Sequence, residues 1–142
     1  MAPVCTKVII IRHAEKPDIN SNILGVTEAG AADKNELTVK GWQRAGALVR
    51  LFNPLTPAQP PVGLAVPGAL FAAPPTNDNP SKRPLLTVAP LAADLKLKVQ
   101  SQFALHQEKA LFAAALDAAA IVLICWHHER IDKIAALFGA SR

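Results

Sequence analysis

The stretch VIIIRHAE, residues 8–15, decides how the rest of this sequence is interpreted. Its first four residues are all β-branched and do not alternate with polar residues, which is typical of a strand buried on both faces of a parallel sheet. A second run of this kind, IVLIC at residues 121–125, ends equally abruptly, in WHHER at residues 126–130. Ligands bind where the carboxyl ends of parallel strands meet, so we expect the histidines of both stretches to line one site.

Helix and strand signals alternate along the rest of the chain. Thr38 is typical of a helix N-cap, and apolar residues follow it at three- and four-residue spacing as far as residue 52. The other helices are predicted over residues 81–95, 107–119 and 131–138, and the other strands over residues 69–73 and 96–100. Pro90 is expected to kink or divide the helix in which it lies. The sequence therefore predicts a single domain over residues 1–142, an α/β fold with a three-layer α/β/α sandwich and a mostly parallel central sheet.

The composition argues against several classes of function. The net charge is +4, but the 15 Lys and Arg residues are scattered and aromatic residues make up only 5% of the chain, so no nucleic-acid partner is expected. No stretch approaches the roughly 18 apolar residues of a membrane span, and no secretory leader is recognisable. Cys5 and Cys125 lie in or beside apolar runs, where buried free thiols are expected. We therefore expect a cytoplasmic protein without membrane association.

Histidine and arginine side chains at one edge of a sheet suit phosphoryl transfer. A neutral imidazole is nucleophilic near pH 7 and can take a phosphoryl group on nitrogen, while guanidinium groups bind phosphoryl oxygens in bidentate fashion. This chemistry requires neither a metal ion nor a cofactor. A metal hydrolase is the alternative, but His106, His127 and His128 show none of the common ligand spacings, and adjacent histidines generally point apart.

Four segments of the chain resemble, in the same order, the motifs of one enzyme family. They are RHAE at residues 12–15, LTVKGWQRA at 37–45, AAP at 72–74 followed by RPLLT at 83–87, and VLICWHHERI at 122–131. The first resembles the RHG motif of the histidine phosphatase superfamily (branch 1), with alanine in place of glycine. The others resemble its LTxxGxxQA helix start, its RAxxTA helix start and the late strand that delivers its second catalytic histidine. The family includes cofactor-dependent phosphoglycerate mutases and SixA-type phosphohistidine phosphatases.

The resemblance implies a phosphoglycerate mutase-like fold and a role for each matching residue. His13 would be phosphorylated, with Arg12 and Arg83 binding the phosphoryl group. Two alignments are open for the late histidine: a gapless match selects His127, whereas a match that also brings Trp126 into register selects His128. We predict that His128 is catalytic and that His127 flanks it in the phosphate-binding pocket.

The resemblance also implies an acid that protonates the leaving group. The family draws this acid from the segment before its penultimate helix, which makes Glu108 the candidate. Glu15 is closer to the nucleophile in sequence and is an alternative, and Glu108 is equally well explained as a first-turn residue favoured by the helix dipole.

The function expected from these residues is that of a phosphoric monoester hydrolase working through a phosphohistidine. Its partners would be a small phosphorylated substrate or a phosphohistidine protein. Mutase activity is less expected, because no extra substrate clamps are recognisable. A degenerate member that only binds phosphorylated ligands or a protein partner is the alternative, since the acid is poorly defined and the family fold continues beyond the last helix, whereas this sequence stops at Arg142. Substrate and oligomeric state are left open.

Overall fold

Strands and helices alternate along residues 4–139, the part of the chain that the computed structural model describes. The elements are β1 Lys7–Arg12, α1 Val39–Phe52, β2 Ala69–Ala72, α2 Arg83–Leu95, β3 Val99–Gln100, α3 Glu108–Ala118, β4 Ile121–Trp126 and α4 His128–Leu137. The strands form one sheet in the order β1-β4-β2-β3, and every pairing is parallel. The predicted α/β class and parallel sheet are confirmed.

Alternate residues of the central strands face two separate apolar clusters. On β4, Val122, Ile124 and Trp126 pack with residues of α3 and α4, whereas Leu123 and Cys125 pack with residues of α1 and α2. This two-residue alternation is the pleat of a strand whose faces are both covered. The sheet therefore lies between two helical layers, and the unbroken apolar runs in the sequence reflect burial on both sides.

The pairing of β1 with β4 creates a crevice at the carboxyl edge of the sheet. The chain leaves β1 towards α1 on one face, and it leaves β4 towards α4 on the other face. Strands that adjoin but send their chains to opposite faces form the switch point at which α/β sheets bind ligands. The first residues after β1 and β4 are His13 and His127.

Most predicted boundaries are confirmed to within two residues, and three predictions need correction. Strand β3 begins at Val99, three residues after the predicted start, because the chain up to Lys96 still belongs to the end of α2. Helix α2 runs undivided through Pro90; Leu91 and Ala92, directly after the proline, are buried in the apolar cluster on the sheet, and this packing outweighs the lost hydrogen bond. Helix α4 begins at His128, three residues before the predicted start. Its first turn is polar, so the apolar periodicity does not reveal it.

Candidate active site

Strand register brings His13 and His127 together. Arg12 lies opposite Trp126 in the β1–β4 pair, and the backbone N–H of His13 donates to the carbonyl of Trp126 at 3.2 Å. The two imidazoles meet edge to face, with ring centroids 5.5 Å apart, and both residues are buried. His128 is the first residue of α4 and is exposed, with its Nδ1 3.3 Å from Glu129. The histidine that lies against His13 is therefore His127, and not His128, for which we had predicted the catalytic role.

A backbone hydrogen bond fixes the orientation of the His13 ring. Its Nδ1 lies 2.8 Å from the carbonyl oxygen of Ala14. A carbonyl only accepts hydrogen bonds, so in the neutral ring Nδ1 carries the proton and Nε2 carries the lone pair. The nucleophilic nitrogen of His13 is thus Nε2.

Burial and neighbouring positive charge keep both imidazoles neutral. Burial lowers the pKa of His13 to about 4; the bond to the Ala14 carbonyl opposes this shift, and the charges of Arg83, His127 and Arg12 add to it. Burial also lowers the pKa of His127, against the effect of the Glu129 carboxylate. At pH 7 His13 is therefore present as the unprotonated nucleophile.

Arg83 reaches this site from the first residue of α2. Its Nη1 donates to the carbonyl of Lys34 at 3.0 Å, and its Nε is buried without a hydrogen-bond partner in the described chain. Burial lowers the pKa of Arg83, yet a guanidinium remains charged in proteins. The Nε2 of His127 is likewise buried and unpartnered. Buried polar nitrogens without partners are uncommon, and two of them beside His13 indicate a place for a bound anion.

Thr87 joins the loop after β1 to the helix that carries Arg83. Its Oγ1 accepts from the N–H of Ala14 at 2.9 Å and donates to the carbonyl of Arg83, four residues earlier, at 2.7 Å. The residue whose carbonyl orients the His13 ring is therefore tied through its N–H to the first turn of α2. The sequence analysis matched Thr87 to a motif but gave it no role. Its signal is a threonine on a buried, otherwise apolar helix face, because a hydroxyl there needs a partner.

Helix α1 also supports this loop. Thr38 caps the helix by accepting from the N–H of Gly41 at 3.0 Å, and its own N–H donates to the carbonyl of Glu15 at 3.1 Å. A Cβ on Gly41 would lie 2.8 Å from that same carbonyl oxygen. The glycine of the LTVKGWQRA segment is therefore needed for the close approach of α1 to the loop.

An open cleft of about 440 Å³ is lined by His13 and its neighbours in the loop after β1, whereas Arg83 and His127 are not among its lining residues. One acid in it, Glu15, pairs through Oε1 with the Nε of Arg44 at 2.5 Å, while its Oε2 is buried without a partner among residues 4–139. The residues that line the cleft are Arg12, His13, Ala14, Glu15, Lys16 and Arg44. Sequence reasoning did not single out Arg44, because an arginine on an exposed helix face has no distinctive pattern.

Glu108 lies in a different environment. Its carboxylate is buried and accepts from Nε and Nη2 of Arg130 at 2.8 and 2.5 Å, and from the N–H of His106 at 2.6 Å. It lines a second cavity, between the start of α3 and the outer side of α4, and it is not among the residues that line the His13 cleft. The structure thus gives Glu108 a charged partner, Arg130, whose backbone N–H donates to the carbonyl of His127.

The described residues add two general observations. Between residues 4 and 139, no group of three or more His, Cys, Asp or Glu side chains is arranged to hold a metal ion. No helix in that range combines the length and the apolar character needed to cross a membrane.

Comparison with known proteins gives no further guidance, because neither a protein-family model nor a curated protein sequence matches this chain.

Proposed function

We propose that this protein is a metal-independent phosphomonoesterase of the histidine phosphatase type, with a phosphoglycerate mutase-like fold, that works through a phosphohistidine on His13. The observation that carries the proposal is the set of buried nitrogens without partners around a neutral His13. Nε of Arg83 is an N–H that needs an acceptor, Nε2 of His127 is a donor in the tautomer that carries its proton there, and a phosphoryl group supplies several oxygens for both. A water molecule would satisfy one such nitrogen but carries no charge opposite to those of Arg83 and Arg12.

In the first step, Nε2 of His13 attacks the phosphorus of the ester. A P–N bond forms, the P–O bond to the leaving group breaks, and the leaving oxygen departs with the electron pair of that bond. In the second step, water attacks the phosphorus, the P–N bond breaks, and its electron pair returns to Nε2. Inorganic phosphate leaves, and the ring regains the tautomer that the Ala14 carbonyl favours.

The other basic groups stabilise the charge that develops during transfer. Arg83, at the start of α2, and His127, after β4, would donate to the phosphoryl oxygens, and the exposed Arg12 would add a positive charge. Helix α4 also begins at this edge, and its N-terminus favours an anion. We propose on these grounds that His127 takes the catalytic role and that exposed His128 is a flanking residue, the reverse of the assignment made from the sequence.

Glu108, the acid that the resemblance implies as proton donor to the leaving group, is engaged by Arg130. Glu108 accepts three hydrogen bonds, two of them from the Arg130 guanidinium, so both of its carboxylate oxygens are already occupied. Esters whose leaving groups depart readily as anions, such as aryl phosphates, are therefore expected to react fastest.

The engagement of Glu108 by Arg130 is also the observation that favours the second candidate, a degenerate member that binds phosphorylated ligands without turning them over. Such a protein would bind the same phosphoryl group at His13. Both proposals include a reducing, cytoplasmic location, since Cys5 and Cys125 are free thiols.

The test is hydrolysis of 4-nitrophenyl phosphate in excess EDTA by the wild-type protein and three alanine variants. His13→Ala should abolish turnover, and His127→Ala should lower kcat on the order of 10²-fold, as expected for loss of one donor to the transition state. His128→Ala is the matched control for a neighbouring imidazole and should change kcat by less than about threefold. Binding of phosphate without turnover in the wild type supports the degenerate member, and turnover in His13→Ala at the wild-type rate contradicts both proposals.

A further inference from the structure

The cavity between the start of α3 and the outer side of α4 is separate from the cleft at the predicted nucleophile. Its volume is about 690 Å³, and it shares no lining residue with the cleft at His13. Sites for small molecules generally enclose about 300–1,000 Å³, so this α3–α4 cavity has room for a whole ligand. No step of the proposed hydrolysis uses it.

Positive charge predominates on the walls of the α3–α4 cavity. Lys109 lies on the α3 side, and Arg130 and Lys133 lie three residues apart on the α4 side. Both lysines are exposed, and neither forms an ion pair with any of residues 4–139. The acid that lines the cavity is Glu108, so the walls carry three positive charges against one negative charge, with His106 counted as neutral.

The other acids of the two helices leave this excess of positive charge in place. They are Asp117, Glu129 and Asp132, and none of them lines the cavity. The carboxylate of Glu129 lies 3.3 Å from Nδ1 of His128, at the exposed first turn of α4. The α3–α4 cavity therefore favours an anionic ligand.

Arg130 is the cation whose position is best defined. Its Nε and Nη2 both donate to Oε1 of Glu108, so the guanidinium is held in one orientation. Its side chain is 28% exposed, whereas that of Glu108 is 4% exposed. The remaining terminal nitrogen, Nη1, has no hydrogen-bond partner among residues 4–139. An anion can therefore bind Nη1 while Glu108 keeps its own hydrogen bonds.

The rest of the cavity suits an organic group. Ala110, Ala136 and Leu137 also line it, and the methylene stems of the two lysines add apolar surface to these side chains. A bare inorganic ion would leave this surface in contact with water. Sites for small molecules combine such an apolar lining with a few polar groups that fix the orientation of the ligand.

We propose that the α3–α4 cavity binds a small organic phosphate. Lys109, Arg130 and Lys133 bind its phosphate group, and its apolar part lies against the alanine and leucine side chains. A phosphate monoester carries roughly −1.5 to −2 at neutral pH, which matches the excess of two positive charges on the walls. The site does not depend on hydrolysis at His13, so it is tested independently of the proposed function.

The test is a titration of isotope-labelled protein with phenylphosphonate, followed by NMR of the backbone amides. This probe has the charge and the apolar group of such a ligand but no ester bond to hydrolyse. Residues 106–110 and 133–137 report on the α3–α4 cavity, and residues 12–16 report on the cleft at His13. We expect saturable shifts in the first set. Methylphosphonate, which lacks the ring, should bind several-fold more weakly there, and benzyl alcohol, which lacks the charge, should cause no such shifts.

Two variants remove one cation each from the cavity. Lys109→Gln and Lys133→Gln should each raise the dissociation constant of the first set several-fold and leave any shifts of the second set unchanged. Arg130→Gln is unsuitable, because it would leave the Glu108 carboxylate buried without its charged partner. Lys40→Gln is the matched control, since Lys40 is an exposed lysine near the start of α1 that lines neither the cavity nor the cleft.

Absence of shifts in the first set at up to about 10 mM phenylphosphonate overturns the site. Equal shifts with benzyl alcohol, equal affinity for methylphosphonate, or an equal loss of affinity in Lys40→Gln also overturns it. Shifts confined to the second set overturn the α3–α4 site but support phosphate binding at His13, so the failures of the two proposals are distinguished.

Discussion

Replacement of Thr87 by valine tests how the nucleophile is held in place. The hydroxyl of Thr87 is the only hydrogen-bond partner of the Ala14 N–H within residues 4–139, and it lies in a site that is 1% exposed. Valine has nearly the same shape but leaves that N–H buried without an acceptor, which costs about 1–3 kcal/mol. Thr87→Val should therefore lower the free energy of unfolding by about this amount, measured by urea denaturation.

The effect on activity should exceed what the loss of stability alone produces. The carbonyl of Ala14 accepts a hydrogen bond from Nδ1–H of His13, so loosening of Ala14 would misdirect Nε2. Misplacement of a reacting group by about 1 Å costs on the order of 10²-fold in rate. We expect kcat for 4-nitrophenyl phosphate to fall by roughly 10-fold to 10²-fold, with a smaller change in KM.

Thr87→Ser is the matched control. It keeps the hydroxyl and removes one methyl group, which costs about 1 kcal/mol of stability, and it should keep most of the kcat. Equal kcat values for the serine and valine variants, measured where both are folded, would refute the idea that the hydroxyl positions His13.

Three further predictions concern the support of the site, its acid and its protonation. Gly41→Ala should lower the free energy of unfolding by about 1–3 kcal/mol, because the added Cβ would lie 2.8 Å from a backbone oxygen. Gly46→Ala, on the same helix, is the control: its Cβ would have no neighbour within 4 Å, so thermal denaturation should show a neutral or stabilising effect. Glu108→Gln should lower the free energy of unfolding by about 1–3 kcal/mol but leave the rates of hydrolysis of aryl and alkyl phosphates unchanged. A fall in rate confined to alkyl phosphates would instead identify Glu108 as the proton donor. The pKa of His13 is about 4 in the folded chain against an ordinary 6.5, so the unfolded chain binds more protons between these values. The free energy of unfolding should therefore decline as the pH falls from about 6.5 to about 4, and His13→Gln should remove part of this dependence; an unchanged profile contradicts a neutral, buried His13.

The sequence was informative about the fold because the strands are buried on both faces. The runs at residues 8–11 and 121–125 contain no polar residue, and a doubly covered parallel strand is one of few structures with this pattern. The polar residues that follow each run mark where the strands end, and so the meeting of His13 with a late histidine was predictable. The order β1-β4-β2-β3 was not predicted, because strand order depends on packing between distant segments.

The choice between His127 and His128 shows the limit of motif reasoning. Adjacent residues at the end of a strand point in different directions, so a shift of one residue exchanges a buried side chain for an exposed one. Only the pairing of Arg12 with Trp126 decides which imidazole lies beside His13, and this register is a tertiary contact. The environment of Glu108 was hidden for the same reason, since its partner Arg130 lies 22 residues away on another helix.

The central claim is most directly tested by identification of the phosphorylated residue. The wild-type protein would be mixed with 4-nitrophenyl phosphate in EDTA, quenched in alkali over a series of times, digested and mapped by mass spectrometry. The account predicts a phosphoryl group on His13, stable in alkali, lost in acid and missing in His13→Ala. Continued turnover with no label on His13 at any quench time, or a label on another residue, would contradict it.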